Sequence, residues 1–171
     1  GTQHGDTTLV VDHAVPHCTS RENFRAVIDD RGHSVFQGRI IVRPDAQKTD
    51  GKMMTRALLL SDEAEADNKP ELEIFADDVV CGHGATAGAL DPGLKFYLMS
   101  RGIHEKEAEA LLVQAFIGET IEEIAHEGIR EALMIARSPR LSTDARVAAA
   151  SSPPCAPTPG TSSGMSGQSS R

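Results

Sequence analysis

Aromatic residues are scarce in this sequence, with one Tyr, five Phe and no Trp among 171 residues. A secreted solenoid that binds or cleaves polysaccharide presents aromatic platforms, and this chain has little to build them from. Cationic side chains are outnumbered, 17 Lys and Arg against 25 Asp and Glu, for a formal net charge of −8. Nucleic-acid binding draws on a Lys/Arg-rich surface that displaces condensed counterions, so that function is not expected. An acidic chain gains nothing from an anionic membrane surface either. Long apolar runs are missing: Leu58–Leu60 and Leu111–Val113 stop after a few residues, far short of a bilayer span. No basic start is followed by an apolar stretch, so these residues hold no secretory signal. The opening Gly1-Thr2-Gln3 carries no Met, and the expectation is a chain that starts inside a longer protein. Cysteine is limited to Cys18, Cys81 and Cys155, too few and too scattered for a disulfide framework. An odd count of free thiols fits a reducing, cytoplasmic compartment.

What is present divides into three parts. Residues 1–90 read as short strands at Leu9–Val11, Phe24–Ile28, Val35–Val42, Ala57–Leu60, Leu72–Phe75 and Val79–Cys81. Alternation is visible in Arg39–Val42 and Glu71–Phe75, as a half-buried strand requires. Breaks are expected at Asp29–Gly32, Arg43-Pro44-Asp45, Asp50-Gly51, Asn68-Lys69-Pro70 and Asp77-Asp78. Strands at loose, even spacing with no helices between them allow a sandwich, a barrel or a solenoid. The low aromatic content favours a solenoid stacked from aliphatic residues.

Residues 91–137 read as helical. Asp91-Pro92 starts a helix, Asp as cap and Pro at the first helical position, and Gly102 is placed to end it. A second helix is expected from Glu105 to Ile117, with Ala108, Leu111, Leu112, Ala115 and Phe116 on one face. A third is expected from Thr120 to Ala136, opened by a capping box of Thr120 and Glu123. From Ser138 to Arg171, Ser, Pro, Gly, Ala and Thr dominate, which predicts a disordered tail and gives Cys155 no function.

The densest polar cluster is Ala76–Thr86. Cys81 and His83 stand at i and i+2, so on a strand both side chains project from one face. A thiolate beside an imidazole suits zinc, copper or iron. Two ligands do not close a site, which wants about four, so any site here is completed by another chain or segment. The bland alternative is a buried Cys and a satisfied His. His13, His17 and Cys18 form a second cluster, but Pro16 opposes a helix and the segment reads as a strand end and turn. His33, His104 and His126 read as surface residues. Asp77 and Asp78 point to opposite faces of an extended chain and cannot share a proton, so they read as a turn. A metal-dependent hydrolase using Cys81, His83 and Asp77 is the competing function, and it lacks a third convincing ligand. No nucleophile elbow, Walker motif or dinucleotide fingerprint occurs.

Three stretches in order carry a resemblance. Pro44–Asp50 is followed by Leu58–Ser61; Pro70–Val79 leads into Cys81-Gly82-His83-Gly84-Ala85-Thr86; Phe96–Ile103 closes the set. Together with Phe24-Arg25 and Phe36–Ile40, they resemble the SufB/SufD family of the SUF iron–sulfur cluster assembly machine, over residues 9–137. His83–Thr86 and Ala76–Asp78 are similar to SufD, where SufB usually has Glu after that His. The resemblance implies a partial right-handed parallel β-helix followed by a C-terminal helical domain. It implies a non-catalytic scaffold that pairs with SufB through the β-helix and recruits a SufC ATPase through the helices. It also implies that His83, and with it Cys81, lies where iron or a nascent iron–sulfur cluster sits transiently at the SufB interface. The missing N-terminal coils and the Ser/Pro tail depart from the family pattern.

Overall fold

The structure is a computed structural model, and it describes residues 1–136 and 146–151. Six strands of equal length come first: β1 His4–His13, β2 Thr19–Ile28, β3 His33–Val42, β4 Asp50–Leu59, β5 Glu65–Ile74 and β6 Val80–Ala89. Three helices follow, α1 Pro92–Ser100, α2 Glu105–Glu122 and α3 Glu127–Ala136, and then a strand β7, Arg146–Ser151. The chain is mainly parallel β with helices, as the sequence suggests. No helix among the described residues is long and apolar enough to cross a membrane.

Successive strands alternate between two sheets, ordered β1-β3-β5 and β6-β4-β2-β7. All pairings among β1–β6 are parallel and unbroken: His4 lies against His33 and His33 against Glu65, while Thr19 lies against Asp50 and Asp50 against Val80. The turns stack with the strands. Arg43 N donates to His13 O at 2.9 Å and Phe75 N to Val42 O at 2.9 Å. His17 N donates to Gln47 O at 2.9 Å and Lys48 N to Asp78 O at 2.6 Å. His17 and Lys48, at equivalent corners, share a left-handed backbone with φ of 61° and 63°.

The strands run longer than their apolar centres. Asp50-Gly51 and Asn68-Lys69-Pro70, expected as breaks, lie inside β4 and β5. Outward positions such as Lys52 and Lys69 stay exposed, so polar residues there do not interrupt a strand with one solvated face. Pro70 is tolerated because β5 is the edge of its sheet.

The main core gathers inward-facing residues from both sheets. Phe24, Phe36, Ile40, Val42 and Met53 are buried together, with Leu9, Val11, Leu72 and Cys81 packed against them. The Phe24 and Phe36 rings lie 4.5 Å apart. Thr55 donates to Asn68 Oδ1 at 2.8 Å, joining the two sheets. A second cluster lies on the outer face of β2 and β4, where Val27 and Leu58 meet Val113, Phe116 and Ile117 of α2.

Two expectations for the helices are corrected. No helix begins at Thr120, and Thr120–Glu123 is not a capping box. α2 continues to Glu122, with Gly118 and Thr120 buried inside it, and α3 begins only at Glu127. Ile129 N faces His126 Nδ1 at 3.4 Å at the start of α3. The expected stripe of α2 holds in part: Ala108 is buried and Phe116 packs on the sheet, but Leu111 is exposed and Val113 and Ile121 are buried instead. The start of α1 agrees with the sequence. Asp91 Oδ1 accepts from Gly93 N at 2.7 Å, and Gly102 has φ of 86° just past the end.

The expected disordered tail is also corrected over Arg146–Ser151, which pairs antiparallel with the open edge of β2. An edge strand offers unpaired backbone groups, and this run is free of the prolines that surround it. Residues 137–145 and 152–171, including Cys155, lie outside the described residues.

Two predictions come from the core. A methyl group at Gly38 would overlap Met53 Sδ and lie 2.8 Å from two ring carbons of Phe36. Gly38→Ala is expected to cost about 1–3 kcal/mol, read as a lower denaturant midpoint. The second concerns Glu22, only 4% exposed on β2. Burial pushes its carboxyl above the ordinary value of 4.5, against the hydrogen bond with Ser20. The folded chain then keeps a proton that the unfolded chain has lost. Stability is full below 4.5 and falls as the pH rises through the raised folded value. Glu22→Gln cannot ionise, so denaturant titrations should find it more stable than wild type at neutral pH, with the gap closing below pH 4.5.

Candidate functional site

β6 carries the residues singled out by the sequence. Gly51 of β4 pairs with Cys81, and Met53 with His83. Met53 is 2% exposed in the main core, so this face of β6 is the one turned toward the interior. Period two along the strand therefore gives Cys81 and His83 the same face, as expected. Their surroundings differ. Cys81 is half-buried against the core, whereas His83 is exposed on the sheet's last strand.

Around Gly51 three polar heads converge. A methyl group there would lie 3.5 Å from Ser20 Oγ, 3.6 Å from Cys81 Sγ and 3.7 Å from His13 Nε2. His13 and Ser20 are both buried, with Nε2 and Oγ 3.0 Å apart. Burial holds the His13 imidazole below its ordinary pKa, against the pull of the Asp12 carboxylate. Glu22 joins the group through Ser20, and its Oε2 has no hydrogen-bond partner. His13, Ser20, Glu22 and Gly51 were not read as parts of a site from the sequence. Their only signal is positional, since Ser20, Gly51 and Cys81 occupy one register of the stack.

The other candidates are dispersed. Asp77 and Asp78 form the bend before β6, as the turn reading expects. Asp78 pairs with Lys48, and its backbone N donates to Gln47 Oε1 at 2.9 Å. Cys18 is buried at the end of the β1–β2 turn and His17 is exposed in it. His33 is more than a surface residue: it opens β3, bonds Asp67 at 2.7 Å and packs edge-on against His4 at 4.8 Å. His104 and His126 are exposed at the starts of α2 and α3. Among the described residues, no three His, Cys, Asp or Glu side chains converge to hold a metal ion.

A pocket of about 420 Å³ lies at β2, β4 and β6, lined by Arg21, Asn23, Lys52, Cys81, His83 and Glu123 among others. Beside it, α2 is hooked to the sheet. The buried Arg25 guanidinium donates to Phe116 O and to Glu119 Oε2, the latter at 2.6 Å, and lies 4.9 Å from the Phe116 ring centre. Asn23 donates to Glu123 at 2.9 Å. α1 is attached differently, with no buried residue and Lys95 bridging to Glu105 and Glu109 of α2. Leu94, Phe96, Tyr97 and Met99 of α1 are all exposed, Phe96 at 72%.

Comparison with known proteins gives this geometry a family. Residues 1–116 match the family described as SUF system FeS cluster assembly, SufBD core domain. The chain is 41% identical over 141 residues, 82% of its length, to the iron–sulfur cluster assembly protein SufD of Escherichia coli, of which the match covers 33%. It is 39% identical over 126 residues, 72% of its length, to a SufBD family iron–sulfur cluster assembly protein of Synechocystis, covering 27% of that protein. Against SufD of Bacillus subtilis it is 38% identical over 108 residues, 63% of its length and 25% of the relative's. The chain thus spans a third or less of the length of these relatives. With the match running through every strand from β1 to β6, the chain belongs to the SufBD core family of the SUF system for iron–sulfur cluster assembly, and is SufD-like within it.

Proposed function

We propose that this chain is the C-terminal part of a non-catalytic scaffold subunit that assists iron–sulfur cluster assembly beside SufB and leaves ATP hydrolysis to SufC. The carrying observation is the incomplete donor pair on an open strand. Cys81 and His83 share one face of β6, and among the described residues β6 has a hydrogen-bonded neighbour, β4, on one side only. An open edge pairs readily with a strand of another chain. A partner docked there would bring further ligands to His83, with iron or the nascent cluster as cargo rather than as a resident group.

The strand order supports the rest of this reading. Strands that alternate between two parallel sheets, with stacked turns, are what the last coils of a right-handed parallel β-helix would give. The helices supply the second contact. The apolar side chains exposed on α1 suit burial in a groove of the ATPase. Nucleotide-driven movement of that partner would reach the sheet through α2, which Arg25 holds to β2. A cytoplasmic setting accompanies the free thiols.

Two outcomes check this. His83→Ala is expected to leave the complex with SufB and SufC intact while cluster formation on it drops about tenfold or more, the loss of one ligand being worth about 1.4 kcal/mol at least. A mutant complex that builds clusters at the wild-type rate would remove His83 from the site. Phe96→Ala is expected to weaken SufC binding by roughly tenfold or more, with circular dichroism unchanged, because its ring is the most exposed of the four apolar side chains that α1 presents. Wild-type affinity in that variant would place the ATPase elsewhere.

A further inference from the structure

We infer that β7 is an edge cap. It occupies the side of β2 on which β6 of a second copy of this chain would otherwise add, and so blocks head-to-tail association. The inference does not rest on the proposed function, because it concerns the end of the sheet opposite β6.

Three observations carry it. First, β2 is bonded on both sides. β4 runs along one side from Thr19 to Ile28, and β7 along the other, with Arg146 facing Val27 and Ser151 facing Glu22. Among the described residues this is the only antiparallel pairing, and its strand follows the helices in sequence. Ala148-Ala149-Ala150 has little strand preference of its own, so the open edge is what makes this run a strand. Second, the two ends of the sheet match. β2 and β6 are each ten residues long, and both lie parallel to β4 in unbroken register. β2 of a second copy laid on β6 would repeat the step from β4 to β6. In the columns Glu22–Met53–His83 and Val27–Leu58–Gly88, Glu22 of that copy would follow His83, and its Val27 would follow Gly88. Such a contact joins two different patches and leaves the same two patches free at the ends, so it repeats without closing. Third, the companion sheet has its own safeguard. Its edge β5 carries Pro70 among charged neighbours, which discourage a further strand. The sheet without that safeguard is the one that β7 covers.

The test uses the full chain carrying Ala148→Pro and Ala149→Pro together. Neighbouring residues of a strand point their N–H groups to opposite sides, so one of the two prolines removes a donor to β2 whichever side each faces. Hydrogen exchange and sedimentation velocity are the readouts. In wild type, the β2 amides between Glu22 and Val27 that point away from β4 should exchange slowly. In the double variant they should exchange about tenfold faster or more, while the amides facing β4 keep their protection. The variant should also form species that grow with concentration beyond the size of wild type. Adding Gly88→Lys should return it to wild-type size. A side chain at Gly88 enters open space within its own copy, but at the joint the lysine would lie beside Val27 of the next copy, in the apolar cluster under α2. Unchanged exchange in the double variant would overturn the inference. So would faster exchange with no growth in size, or growth that Gly88→Lys leaves in place. Loss of protection that spreads to the amides facing β4 would overturn it too, since β7 would then hold the core together and not merely cover its edge.

Discussion

Every feature of this molecule depends on the parallel backbone register that stacks one layer on the next. In a parallel ladder, a residue and its partner face the same way, so one position fixes the direction in which the whole column points. The column Ser20–Gly51–Cys81 shows the consequence for polar groups, and Glu22–Met53–His83 shows it for burial, running from a buried carboxyl to an exposed imidazole. The turns obey the same rule, with His17 and Lys48 adopting the same corner in successive layers. A slip of one residue would send Met53 and Phe24 to solvent and bring Lys52 and Arg25 into the core.

The helical part is joined to this stack by few contacts, and the strongest are polar. Arg25 faces outward from β2, yet α2 covers it almost completely. Its guanidinium satisfies a helix carbonyl and a carboxylate together, while Nε stays unpaired. Apolar packing of Val27 and Leu58 against Val113 provides area, and the arginine sets the angle at which the helix lies. α1 is held by Lys95 alone among charged groups, through two exposed glutamates whose carboxylates solvent screens. The contrast separates a fixed helix from one whose apolar side chains are left exposed.

Much of this was legible in the sequence, and the losses have physical causes. Each of the six strands was touched by an expected apolar run, but for β4, β5 and β6 that run covers only one end of the strand. The rest was missed where a solvated outer face tolerates residues that usually mark turns, such as Asp50 and Lys69, or where small residues of β6 carry no apolar pattern. Asp91, Pro92 and Gly102 located α1 because caps act locally. Thr120–Glu123 misled for the same reason: the motif fits a helix start, but the chain stays helical through it with Gly118, Thr120 and Ile121 buried in α2. At the site, strand alternation was enough to put Cys81 and His83 on one face. His13 and Gly51 were out of reach, since their proximity to Cys81 depends on a stacking period that no repeated residue marks.

The edge strands at the C-terminal end of the stack, β5 and β6, are not equivalent. β5 ends its sheet with Pro70 among Lys69, Glu71 and Glu73, a proline and charges that discourage any further strand. β6 ends the other with Gly82, Gly84, Ala85, Ala87, Gly88 and Ala89, small residues that leave its backbone uncovered. Strand addition is thus favoured at the β6 edge and discouraged at the β5 edge. A layer ended this way offers a neighbouring strand one of its two sheets and withholds the other.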